Sequence, residues 1–194
     1  MFIDFLTIML LNLTAGLVVF GFLIFKWRNL ENISKGQFVP GFAITGLIGI
    51  VTGFVMIFTW PLPGSFNIAF GEMSLLFSVL FAGVALALAK DWDLITVTMY
   101  AIFPGAAAIL LGLRIINLEL TKEPMMSALG FIFTGILGVI STPAYLLRKS
   151  RIMTIIALII LAIAVIIWIT TTYGSYWGHM ESFSKWVPVH MRGQ

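Results

Sequence analysis

The sequence predicts an all-α transmembrane fold, a six-helix bundle, on three observations. Charge is scarce: 10% of the residues are Asp, Glu, Lys or Arg while 60% are apolar, whereas a soluble domain carries roughly a quarter charged residues. So little polar side chain cannot cover a globule in water, so lipid must be the main solvent. The apolar residues fall in six long runs, each close to the ~20 residues a helix needs to cross the hydrocarbon of a bilayer. Lysine and arginine lie between these runs, not inside them. Helix follows because an unpaired backbone group in hydrocarbon costs several kcal/mol, and a helix pairs its own.

The predicted spans are 5–25, 42–59, 73–89, 94–113, 125–147 and 152–170. The first opens beside Asp4 and is followed by Lys26 and Arg28. An export signal begins with positive charge instead, so this run reads as a retained span. The second carries Thr45, Gly46, Gly49 and Gly53, a small-residue face of the kind that lets helices approach closely in lipid. The third follows the Pro-rich stretch "TWPLPGSFNIAFGE" and opens at Glu72. In the fourth, Pro104 removes a backbone donor and crowds the carbonyl of Tyr100. Tyr100 and Pro104 therefore mark a helix-break site, either a plain kink or the lining of a cavity. The fifth starts at Pro124, a residue favoured in the first turn, with Glu123 placed to complement the helix dipole. The sixth follows Arg148, Lys149 and Arg151 and leads into "YGSYWGHMESFSKW". The six tryptophans fall near span ends, as an interfacial aromatic belt requires. The whole chain, 1–194, reads as a single membrane domain with a tail at 179–194.

One stretch recurs. "GFAITGLIGIVTG" at 41–53 returns as "GFIFTGILGVIST" at 130–142, with Gly, Phe, Thr, Gly and Gly identical in register. Thr134, Gly135 and Gly138 thus repeat Thr45, Gly46 and Gly49. Two three-span halves, 5–90 and 94–178, follow from this reading. Three spans are an odd number, so the second half enters the membrane inverted, a plan common among transporters. The second and fifth helices are expected to cross at the centre through their small faces.

Orientation follows from the basic residues. Lys26, Arg28, Lys35, Lys90, Arg148, Lys149 and Arg151 share one side; Arg114, Lys122, Lys185 and Arg192 share the other. The richer side is expected to face the cytoplasm of a cell membrane, with both termini outside.

The chemistry is bounded by what is missing. With no cysteine, disulfides, thiolate metal sites and cysteine nucleophiles are excluded. No basic cluster suits nucleic acid. The span interiors hold no Asp, Glu, Lys, Arg or His, the residues that carry proton relays, and no triad or paired-His spacing is present. Both histidines, His179 and His190, lie in the tail. Polar residues gather instead on the expected outer face, where Asn67, Glu72, Arg114, Glu119 and His179 are candidates for ligand binding and Glu72 is placed to pair with Arg114. Met125, Met126, His179 and Met180 fall on the same side, and thioether with imidazole suits copper. They have no fixed spacing, and methionine also serves as a flexible packing residue. Otherwise no cofactor is expected.

The run Thr59-Trp-Pro-Leu-Pro-Gly-Ser-Phe-Asn67 through Phe70-Gly-Glu72, together with Arg114 and Thr121-Lys-Glu-Pro124, resembles an uncharacterised family of multi-span prokaryotic membrane proteins, classed as a domain of unknown function. Some relatives carry a His-Met pair just before this run. The matching positions here are Val55 and Met56, so the resemblance brings no metal or haem role to that point. It implies a compact multi-span protein and names no reaction.

Three functional classes remain open. A non-catalytic accessory subunit of a larger membrane complex suits the uncharged spans and short loops. A small channel or transporter for a neutral or weakly polar solute would draw on the inverted repeat and the broken fourth span. A membrane enzyme would use Glu72, Glu119 and His179, and an outer-face metal-binding protein would use Met125, Met126, His179 and Met180. The expected partners are the lipid bilayer, other membrane subunits or a second copy of the chain.

Overall fold

A computed structural model describes residues 5–184, 186 and 187. Among them there is no strand, and six helices follow one another: α1 (Phe5–Lys26), α2 (Val39–Thr59), α3 (Met73–Ala89), α4 (Ile95–Leu118), α5 (Pro124–Leu146) and α6 (Arg151–Ser182). Together with the turns that adjoin them, the six give six segments long and apolar enough to cross a membrane, α3 counting from Asn67 as Asn67–Ala89. Two 3-10 turns, Trp27–Asn32 and Lys35–Phe38, join α1 to α2, and a π-helical turn, Asn67–Glu72, leads into α3.

Each helix packs on the next, and α6 returns to α1, so the bundle closes as a sequential ring. The tightest seams are those built on glycine. A Cβ added to Gly46 would lie 2.8 Å from the backbone nitrogen of Ala82, and one on Gly53 would lie 2.9 Å from that of Leu75. Between α4 and α5 the backbones themselves touch. A Cβ on Gly105 would meet the carbonyl oxygen of Gly135 at 2.8 Å, and one on Gly135 would meet that of Gly105 at 2.6 Å. In lipid such close packing, not hydrophobicity, drives helix association.

These contacts correct one expectation. α2 and α5 do not cross: the glycine face of α2 packs on α3, the helix after it, and that of α5 packs on α4, the helix before it. The two matching stretches therefore engage non-equivalent neighbours. Each small face goes where a neighbour offers small residues in return: Ser78 and Ala82 on α3, and Ala101 and Gly105 on α4. Pro104 is buried within α4, which continues as helix through it to Leu118.

The ring is closed by hydrogen bonds to α6 from α1 and from Trp27, the first residue of the 3-10 turn after it. Trp27 Nε1 donates to Thr154 Oγ1 at 2.8 Å, the hydroxyls of Thr14 and Thr172 lie 3.4 Å apart, and Thr7 Oγ1 lies 3.0 Å from His179 Nδ1. At 32 residues, α6 is about 48 Å long, well beyond the span expected at 152–170. Its last turns stay helical alongside the start of α1, so His179–Ser182 belongs to α6 and not to a tail. Lys185, His190 and Arg192 lie outside the described residues. At the core, Phe131 meets Phe70 and Trp168 edge-on, with ring centroids 5.3 and 5.5 Å away.

Candidate functional site

The residues expected to bind a ligand sit at the end of the bundle where α1 begins and α6 ends, and most of them have structural work there. Asn67 is fully buried. Its Oδ1 accepts from Leu62 N at 3.1 Å, and its Nδ2 donates to the carbonyls of Leu62 at 2.5 Å and Gly64 at 3.4 Å. The amide is thus consumed in holding the Pro-rich loop. Glu119 is exposed and caps α4 in the left-handed conformation, φ 46°. Its N–H bonds to Ile116 O while Leu120 N–H reaches Ile115 O, both at 3.1 Å, the pairing of a Schellman cap. His179 is joined to Thr7 and meets the Phe183 ring edge-on at 5.6 Å. Glu72 is half-buried at the end of the π-helical turn, and Arg114 is exposed on α4. Among the described residues no hydrogen bond or ion pair joins Asn67, Glu72, Arg114 and Glu119 to one another, so the expected pairing of Glu72 with Arg114 is not made. Met125, Met126 and Met180 are exposed, and Tyr100 faces outward from α4, 47% exposed.

Thr45, Gly46, Gly49, Gly53, Thr134, Gly135 and Gly138 all lie in helix seams. Thr45 offers its carbonyl to Asn12 Nδ2 at 2.8 Å, and Thr134 Oγ1 accepts from Trp168 Nε1 at 2.9 Å. Asn12 also lies against Gly49, where a Cβ would come within 2.9 Å of its Nδ2.

A polar cavity of about 240 Å³ opens at the opposite end of the bundle, where α3 ends and α4 begins. Four elements place its charges. Lys35 starts the second 3-10 turn, which Phe38, 1% exposed, anchors in the core. Asp91 follows α3 with φ 55°, and the bond from Trp92 N to Ala87 O at 2.8 Å closes the cap around it. Asp93 Oδ1 accepts from Ile95 N at 2.7 Å and so satisfies a donor at the start of α4. Tyr145, near the end of α5, donates its hydroxyl to Asp93 Oδ2 at 3.3 Å. Arg148 lies over the Tyr145 ring, 4.4 Å from its centre, and its Nη1 donates to Tyr145 O at 3.2 Å. Lys35 Nζ pairs with Asp91 Oδ1 at 3.2 Å. With Asp91 80% exposed, that pair stabilises the fold by no more than about 1 kcal/mol.

Leu94 and Tyr145 also line a smaller apolar cavity of about 40 Å³. That space shares Val84, Val97 and Thr98 as wall with another of about 90 Å³ among α1, α3, α4 and α5. Of the contacts between successive helices, those of α3 with α4 are the slightest.

Sequence reasoning missed this site. Its signal was "KDWD" at 90–93, two carboxylates flanking a tryptophan in the loop before span four. Charges beside a span end ordinarily mark only the membrane boundary.

The profile of the family described as "Protein of unknown function (DUF981)" matches residues 1–182, and the chain belongs to that family. No curated protein and no solved structure matches the chain.

Proposed function

We propose that this member of an uncharacterised membrane family is a non-catalytic accessory subunit of a larger complex in the cell membrane. The observation that supports this reading is how the bundle spends its interior polar groups. Asn12 bonds to Thr45 O, Thr14 to Leu10 O, and Trp168 to Thr134. Ser141 Oγ donates to Thr98 O at 2.7 Å and to Gly138 O at 2.6 Å. Thr142 Oγ1 is a buried hydroxyl oxygen without a partner. A conduit for solutes needs polar groups turned toward a wet path, and a relay needs ionisable ones. Here most of these groups are taken up by bonds to a neighbouring helix or to the preceding turn of their own, and the remaining interior is apolar. The glycine stretches enter this reading as packing devices. The surplus of Lys and Arg at the Lys26 end supports a reading with that end in the cytoplasm and both termini outside.

Purification from native membranes in mild detergent, with mass measurement of the intact assembly, tests the proposal. A second, distinct polypeptide in fixed ratio is the expected result. A chain that purifies alone and moves a small neutral solute across liposomes overturns it in favour of a channel or transporter.

A further inference from the structure

Two cations and two carboxylates share the wall of the cavity of about 240 Å³ where α3 ends and α4 begins. Asp93 is held by the backbone N–H of Ile95 and the hydroxyl of Tyr145. Both donors are neutral, so they position the carboxylate without cancelling its charge, and each oxygen has a further lone pair to offer. Arg148 lies on the face of the Tyr145 ring and donates to the Tyr145 carbonyl, which are neutral groups as well. Lys35 and Asp91 do pair, but Asp91 is 80% exposed, and an exposed pair of this kind is weak enough to yield to a competing ion. Leu88, Trp92 and Leu94 add an apolar wall.

We infer that this cavity binds a small zwitterion of the α-amino acid class, its carboxylate toward Arg148 and Lys35 and its ammonium toward Asp93 and Asp91. Charge decides the class. A bare cation would face Lys35 and Arg148, and a bare anion would face two carboxylates. A molecule carrying both signs meets an opposite charge on each side, and every wrong placement is repelled. Arg148 supplies the planar fork that matches a carboxylate in two bonds. Size narrows the class. The cavity has the volume of about eight liquid waters, below the roughly 300 Å³ at which pockets for drug-sized ligands begin. The occupant therefore has a short side chain, set against Leu88, Trp92 and Leu94. The exposed Asp91 puts the mouth toward water at the bundle end, so the ligand is a dissolved one. The site does not rest on the accessory role proposed above.

Saturation-transfer NMR on the intact chain in phosphatidylglycerol nanodiscs tests the inference. The probe is L-alanine, set against ethylamine and propionate, which carry its two charges separately. Saturable binding of L-alanine is expected, at least about tenfold tighter than that of either half. Asp93→Asn keeps an oxygen for the Ile95 N–H and removes the charge. It should weaken L-alanine about tenfold and ethylamine likewise while sparing propionate, and Arg148→Gln should do the reverse to the two halves. No saturable L-alanine binding to the wild type overturns the inference. So does a half that binds as tightly as the whole, or binding unchanged in both variants. Binding lost when phosphatidylethanolamine replaces phosphatidylglycerol assigns the cavity to a lipid headgroup and overturns it too. Should Arg148→Gln fail to fold, Asp93→Asn decides the matter, because its capping oxygen is retained.

Discussion

Thr7 and His179 stand at opposite ends of the sequence, yet Thr7 Oγ1 lies 3.0 Å from His179 Nδ1. This contact joins the first turn of α1 to the far end of α6, the last rung of the set that closes the ring. It gives His179 a structural task in place of the ligand-binding one its position in the sequence invited. A hydrogen bond of this kind contributes about 1 kcal/mol net. Thr7→Val and His179→Ala should each lower the unfolding midpoint in detergent. Their double variant should recover a coupling of about 0.5–1.5 kcal/mol. Strictly additive effects would show that the two side chains do not interact.

Gly135 should be intolerant of substitution where Gly174 is not. A Cβ at Gly135 meets the Gly105 carbonyl at 2.6 Å, a backbone atom that cannot step aside, whereas nothing lies within 4 Å of one at Gly174. Gly135→Ala is expected to destabilise by about 1–3 kcal/mol through overpacking. Gly174→Ala, within α6, should stabilise by about 0.5–1 kcal/mol through backbone entropy. Comparing the two unfolding midpoints checks both, and similar shifts would contradict the packing of α4 on α5.

Glu119 holds φ 46° at the end of α4, a conformation that costs an L side chain roughly 1–2 kcal/mol and glycine nothing. Glu119→Gly should therefore raise stability by about 1 kcal/mol. A loss of stability would mean that the carboxylate has a role the cap does not explain.

Asn67→Ala should release the Pro-rich loop. The substitution leaves the part-buried Leu62 N–H and C=O without their partner, at about 1 kcal/mol for each bond lost. Limited proteolysis is expected to cut between Trp60 and Phe66 in the variant while sparing the wild type. Equal resistance would separate Asn67 from loop structure and return it to the ligand candidates.

The spans were legible in the sequence because crossing a bilayer fixes both length and apolarity, and α1 and α3 fall where the runs place them. The address of each glycine face was not. Gly46 and Gly135 announce that a backbone will come close, but which helix supplies it depends on small residues elsewhere, at Ala82 and Gly105. The extension of α6 past Thr170 was hidden because its polar and aromatic residues read as tail until α1 is seen beside them. The charged cavity was hidden for a similar reason. Lys35, Asp91, Asp93 and Arg148 come from different loops and helix ends, and only the ring gathers them.

The closed sequential ring is the claim on which the apolar interior depends, and the absence of native cysteine makes it directly testable by paired cysteines in membranes. Thr14→Cys with Thr172→Cys replaces hydroxyls 3.4 Å apart and should form a disulfide between α1 and α6 on mild oxidation. Gly46→Cys with Gly135→Cys should form none. A bond between α2 and α5, with α1 and α6 left unlinked, would contradict the ring.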